Sequence, residues 1–164
     1  MSISLFPFHA ESSAIIFAPI AEVFAYLDDP KLLSSHMGKS SMMMLGSRMN
    51  TSVDAGAGQQ VGSKIRIRGS VMGMSLALEE EIIERQAPYT KIWQTIGKPQ
   101  LLLIANYRMG FEIVSTENVL QVHVFIDYCL PESAIGKLIG QMLAGVYARW
   151  CVQKMINDLV DHFK

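Results

Sequence analysis

Two rhythms divide this chain. Most of residues 39–130 alternate apolar and polar positions with a period of two, and helical spacing precedes and follows them. Residues 9–17 read as a first strand. Pro19 then suits a first helical turn, and Ile20, Val23, Phe24 and Leu27 follow at helical spacing. Asp28-Asp29-Pro30 breaks that helix, because the residue before proline disfavours the helical region. A second short helix is expected over residues 31–37, stopped at Gly38.

Strands are then predicted over residues 39–48, 62–70, 75–84, 90–96, 101–114 and 120–130. Residues 50–58 read as a loop rich in Asn, Ser, Asp and Gly, Gly73 as a turn, and Gly97-Lys98-Pro99 as a strand end. Residues 101–114 and 120–130 form a hairpin with a greasy face. That face carries Tyr107, Met109, Phe111 and Ile113 on one strand and Leu120, Val122, Val124, Ile126 and Tyr128 on the other. Arg108 and Glu112 fall on its outer surface.

The last helix starts at Ser133 as N-cap. Ile135, Leu138, Ile139, Met142, Leu143, Val146, Tyr147 and Trp150 mark its apolar face, continued by Met155, Ile156, Leu159 and Phe163. Some 30 residues at about 1.5 Å each cross a whole small sheet. One domain over residues 1–164 is expected, of class α+β. An antiparallel sheet of six to seven strands would wrap the C-terminal helix, with two short helices after the first strand.

Composition narrows the function. Half of the residues are apolar and the formal net charge is −1, with 14 basic against 15 acidic residues. No basic stripe is present, so nucleic acid is not an expected partner. The longest purely apolar runs, residues 42–45 and 101–105, fall far short of the roughly 20 residues that span a bilayer. Cys129 and Cys151 lie in apolar stretches without metal spacing and read as buried thiols of a cytoplasmic protein. The four histidines, His9, His36, His123 and His162, are dispersed, so no metal and no cofactor is expected. Eleven methionines suit either a cavity for variable apolar shapes or ordinary core filling.

The order of the pieces resembles the START-like superfamily, which holds the birch-pollen allergens and the polyketide cyclase/dehydrase and lipid-transport family. The resemblance rests on Ala18-Pro19-Ile20-Ala21-Glu22-Val23-Phe24-Ala25-Tyr26-Leu27-Asp28-Asp29-Pro30 and on Val61-Gly62-Ser63-Lys64-Ile65. Leu78-Glu79-Glu80-Glu81-Ile82 before Ala87-Pro88 adds to it, as does Tyr128-Cys129-Leu130-Pro131 ahead of the long helix. It implies a helix-grip fold whose cavity, between sheet and helix, takes lipids, polyketides or aromatic molecules. It carries over no catalytic residue.

Within that frame, Trp93, Tyr107, Met109, Phe111, Tyr128, Met142 and Val146 are the expected ligand-binding residues. Tyr107 and Tyr128 either orient a polar group of a ligand or bond backbone and water at the sheet's end. Glu80 shares parity with Leu76, Leu78 and Ile82. Facing inward, it is a candidate general acid or base; turned out by a bulge, it is one more surface charge. His36 is a ligand contact or a solvated loop residue. Gly136, Gly140 and Ala144 recur every four residues, which brings a neighbour close to the helix and could let it flex as a gate.

Three functions remain open at this point: binding of a hydrophobic small molecule, cyclase or dehydratase chemistry, and protein interaction. The third would use Leu5-Phe6-Pro7-Phe8 as a surface for a partner or for a second copy in a homodimer.

Overall fold

The computed structural model describes residues 5–33, 48–71 and 73–164. His36, Gly38, Met42, Met43, Met44, most of the strand expected over residues 39–48 and the end of the second short helix lie outside the described residues.

The chain forms β1 (Phe8–Ile16), α1 (Ile20–Asp28), α2 (Pro30–Leu33), β2 (Arg48–Val53) and β3 (Lys64–Val71). β4 (Met74–Gln86), β5 (Thr90–Gln100), β6 (Tyr107–Thr116), β7 (Val119–Tyr128) and a C-terminal helix, α3 (Ala134–His162), follow. The strands make one antiparallel sheet of seven in the order β1-β7-β6-β5-β4-β3-β2, and α3 packs against β1 and β7. This is a helix-grip α+β architecture: the patterning predicts its element order, and the resemblance implies the grip.

Local chemistry explains the boundaries. The Pro19 carbonyl accepts the amides of Glu22 and Val23, which starts α1. The Ser133 hydroxyl accepts the Gly136 amide at 3.1 Å and caps α3. β4 changes register between Ala77 and Glu79 and again between Ile82 and Glu84, so the sheet bends there.

Two expectations fail. Residues 50–53 belong to β2, not to a loop: Asn50 pairs with Arg68 and Ser52 with Arg66. Pairing on the sheet edge overrides a turn-like composition, since the polar side chains face solvent. Residues 101–106 are not strand. β5 runs on through Gly97 and Pro99 to Gln100, and β6 begins only at Tyr107. The intervening segment is held by the Ala105 amide on the Cys129 carbonyl at 2.9 Å.

The core lies between the concave sheet face and the C-terminal half of α3. Phe111, Val122, Val124 and Ile82 are fully enclosed from the sheet side, and Val152, Met155, Ile156 and Leu159 from the helix. The N-terminal half of α3 behaves differently. It turns Gly140, Ala144 and Ala148 inward, and Ile135, Leu138, Ile139, Met142, Leu143 and Val146 face out.

Candidate functional site

Between sheet and helix lies a cavity of about 130 Å³. Alternation along the strands supplies its walls: Ile65 and Ile67 from β3, Leu76 and Leu78 from β4, Met109 from β6 and Ile126 from β7. Leu101, Leu102, Leu103 and Ile104, between β5 and β6, close one side, and Tyr147, Cys151 and Met155 of α3 cover another. Pro30, Leu33 and Met49 complete it. The volume is close to the roughly 150 Å³ of an apolar cavity that holds one benzene molecule, and below the roughly 300 Å³ of ordinary ligand pockets.

One carboxyl stands in this mostly apolar lining. Glu80 is 5% exposed, on the inward parity of β4. Tyr107, across the sheet on β6, donates its hydroxyl to Glu80 Oε1, and the Trp93 side chain on β5 hydrogen-bonds the same carboxyl. Burial pushes the Glu80 carboxyl up to about 7, against the hydrogen bonds from Tyr107 and Trp93 and the more distant Lys91 charge. Burial also raises the Tyr107 phenol well above its ordinary value, and the Glu80 charge adds to that. Near neutral pH the pair can therefore offer a proton or an acceptor to a polar atom in the cavity.

Lys91 forms part of the same wall but is already engaged. Its ammonium donates to the Asp28 carboxylate and to the Asp28 carbonyl, both at 2.8 Å. Arg85 completes the cluster, donating to Asp28 Oδ2 at 2.8 Å. Burial lowers the Lys91 pKa, and Asp28 opposes the shift. Burial pushes Asp28 up, but hydrogen bonds from Arg85 and Lys91 outweigh it and hold the carboxyl below its ordinary value. This ion cluster pins the end of α1 to β4 and β5 at the cavity's edge.

Two further polar atoms face the cavity from α3. Tyr147 and Cys151, one turn apart, hydrogen-bond each other. Burial drives the Cys151 thiol up to about 12, which leaves it protonated and poorly nucleophilic. Among the described residues no group of three or more His, Cys, Asp or Glu side chains is arranged to hold a metal ion.

Of the residues expected to bind ligand, Trp93, Tyr107 and Met109 line the cavity together, with Glu80 beside them. Phe111 lies deeper, edge-on to Phe24 and to Trp93 at 5.7 and 6.5 Å, and is core rather than wall. Tyr128 is buried but outside the lining: its ring stacks on Phe8 at 5.4 Å. Met142 and Val146 are misplaced by the sequence reading. They are 72% and 48% exposed on the outer face of α3. The reason is steric. The inner face of that half runs against backbone: a Cβ at Gly140 would sit 3.0 Å from the Leu103 carbonyl oxygen, so only small residues fit there.

The sequence reading missed Lys91 and the wall at residues 101–104. Lys91 had a signal, since it shares the inward parity of Trp93 on β5. The wall had none, because a run of leucines reads equally well as strand.

No protein-family model and no curated protein matches the sequence. Solved structures do. The structure is similar to protein TTHA0849 from Thermus thermophilus, with 14% identity and a TM-score of 0.67 over 94% of this chain and 96% of that one. Ginseng major latex-like protein 151 from Panax ginseng matches at 14% identity and a TM-score of 0.58, over 95% and 97% of the two chains. Ara h 8.0201 matches at 10% identity and a TM-score of 0.61, again over 95% and 97%. At such identities the likeness is one of fold, and the fold is the START-like, birch-pollen-allergen-like one.

Proposed function

We propose that this protein binds an apolar small molecule in the cavity between sheet and α3, and that the Glu80–Tyr107 pair reads one polar atom of it. The observation that carries this reading is a buried, near-neutral carboxyl in a mostly apolar cavity, the one carboxyl among the described lining residues. A space of about 130 Å³ suits a one-ring aromatic, or the head of a longer molecule that displaces the wall at residues 101–104. An extended lipid or polyketide needs more room than that.

Binding of naphthols, small phenols and fluorescent fatty acids can be followed through emission from Trp93 in the cavity wall. Saturable binding is expected, abolished by Met109→Trp, which fills the space. Binding that survives Met109→Trp unchanged places the ligand elsewhere and removes the proposal. Native mass spectrometry of freshly purified protein adds a direct view of any carried molecule.

The same pair favours a second reading, acid–base chemistry of the cyclase or dehydratase kind. A carboxyl at about 7 beside a phenol meets the requirement for proton transfer near neutrality. Under this reading Glu80→Gln keeps ligand affinity and loses turnover. Under the first, ligand leaves the cavity chemically unchanged.

A further inference from the structure

The hydrogen-bond partners of Glu80 decide what its carboxyl can offer a ligand. Tyr107 donates its hydroxyl to Oε1, and the second partner, the Trp93 indole, carries an N–H that can only donate. Among the described residues no cation touches the carboxyl, because Lys91 spends its ammonium on Asp28. Two neutral donors do not hold a charge in a mostly apolar cavity, so the protonated form persists up to near neutrality.

That form has an O–H to spare. The Tyr107 and Trp93 hydrogens already point at the carboxyl, and among the described residues no acceptor is aimed at its own proton. If the proton turns to the phenol oxygen, the phenol hydrogen is released in its place. Either way one O–H of the pair is left for a ligand. The other titratable groups at the cavity are committed elsewhere. Lys91 on β5 and Arg85 on β4 hold Asp28 at the end of α1. Tyr147 and Cys151 on α3 bond each other; Tyr147 is raised by Cys151 and by burial, and Cys151 by burial to about 12, so both stay protonated.

We propose that the cavity takes neutral one-ring aromatic carbonyl compounds, ketones or aldehydes, whose oxygen accepts the spare O–H of the Glu80–Tyr107 pair. This rests on the cavity-binding reading above and adds the class of ligand. A carbonyl oxygen supplies the missing acceptor and brings no donor of its own. A phenol or an amine adds a further donor to the three already present. A carboxylate needs a countercharge, and Lys91 is already on Asp28. Leu78, Met109 and Ile126 supply apolar walls for the ring.

NMR titration of the full chain with acetophenone and with α-methylstyrene tests the proposal, since the second replaces C=O by C=CH2 in nearly the same shape. Both are expected to bind at about pH 6, where Glu80 is protonated. Ionised Glu80 has no proton to give, so the affinity of acetophenone relative to α-methylstyrene should fall roughly tenfold or more by about pH 9. In Glu80→Gln the amide donates at every pH, and the ratio should stay constant.

A wild-type ratio that does not change with pH overturns the proposal, and this needs no variant to fold. So does a ratio that falls equally in Glu80→Gln, or a failure of acetophenone to bind at about pH 6. Met109→Trp separates the two levels. If it abolishes binding of α-methylstyrene while any of these results holds, the cavity reading stands and the carbonyl class falls. If it leaves binding of both probes unchanged, the cavity reading falls and takes the carbonyl class with it.

Discussion

Asp28 and Glu80 are both carboxyls with little solvent exposure, at 3% and 5%, yet their environments drive them in opposite directions. Asp28, at the end of α1, meets two cations, Lys91 and Arg85, and stays ionised. Glu80, on β4, meets two neutral donors, Tyr107 and Trp93, and burial wins. Hydrogen bonds alone do not hold a charge in a carbon-lined space; a countercharge does. The first carboxyl is therefore tied into the frame. The second is left able to exchange a proton with whatever enters the cavity.

The largest expected effect comes from breaking the first of the two. Asp28→Asn leaves the Lys91 ammonium buried, with a backbone carbonyl and a neutral amide as its nearest partners. Stranding one member of a buried ion pair costs about 3–5 kcal/mol, so urea unfolding of this variant should show a loss of that size. A loss below about 1 kcal/mol means that Lys91 discharges or reaches solvent, and the contrast with Glu80 would then lose its basis.

The two carboxyls also differ in how far the sequence disclosed them. Glu80 was legible as an inward position because Leu76, Leu78 and Ile82 share its parity, and parity survives the bulges of β4. Asp28 was not. Before Asp29-Pro30 it looked like a helix break, and its role depends on Lys91, 63 residues away. The same limit applies to α3. Its periodicity gave the helix and its cap at Ser133, but both faces of the N-terminal half are apolar. Which face turns inward is decided by the closeness of the Leu103 carbonyl to Gly140, and a helical period carries no information about that distance. Met142 and Val146 were misread for this reason, whereas Trp93, Tyr107 and Met109 follow from strand alternation alone.

The second effect concerns pH. The folded-state pKa of Glu80 is raised, from an ordinary 4.5 to about 7. Folded protein thus holds a proton that the unfolded chain gives up between these values, so its contribution to stability is full below about 4.5 and is lost as pH rises through about 7. Glu80→Gln has no proton to lose. Across that window the wild type should lose up to about 1.4 kcal/mol per pH unit relative to the variant, measured by thermal or urea melts at each pH. Parallel pH courses would mean that Glu80 ionises normally and has no special proton to offer.

Tyr107→Phe acts on the same carboxyl from the other side. It removes the donor on Glu80 Oε1 without creating a large void, at a cost of about 1–2 kcal/mol at pH 7. The Tyr107 hydrogen bond lowers the Glu80 pKa, so its loss should move the titration of Glu80 upward, which carbon-detected NMR of the carboxyl reads directly. A downward shift would show that burial is not the dominant cause.

The smallest effect is the control that sharpens the comparison. Glu79 is adjacent to Glu80 but on the opposite face of β4, where it meets Arg66 and lies near Lys64. The hydrogen bond from Arg66 lowers its pKa. A lowered carboxyl stabilises above its unfolded value and loses that contribution only as pH falls through the folded one. Glu79→Gln should therefore track the wild type from its ordinary value of 4.5 upward and separate from it only in more acid solution. Neighbouring glutamates would then leave their marks on opposite sides of one pKa, because a strand turns successive side chains to opposite faces and only one of those faces is dry. If Glu79→Gln instead separates between 4.5 and about 7, the pH dependence belongs to the charged edge of β4 as a whole, and the special standing of Glu80 falls with it.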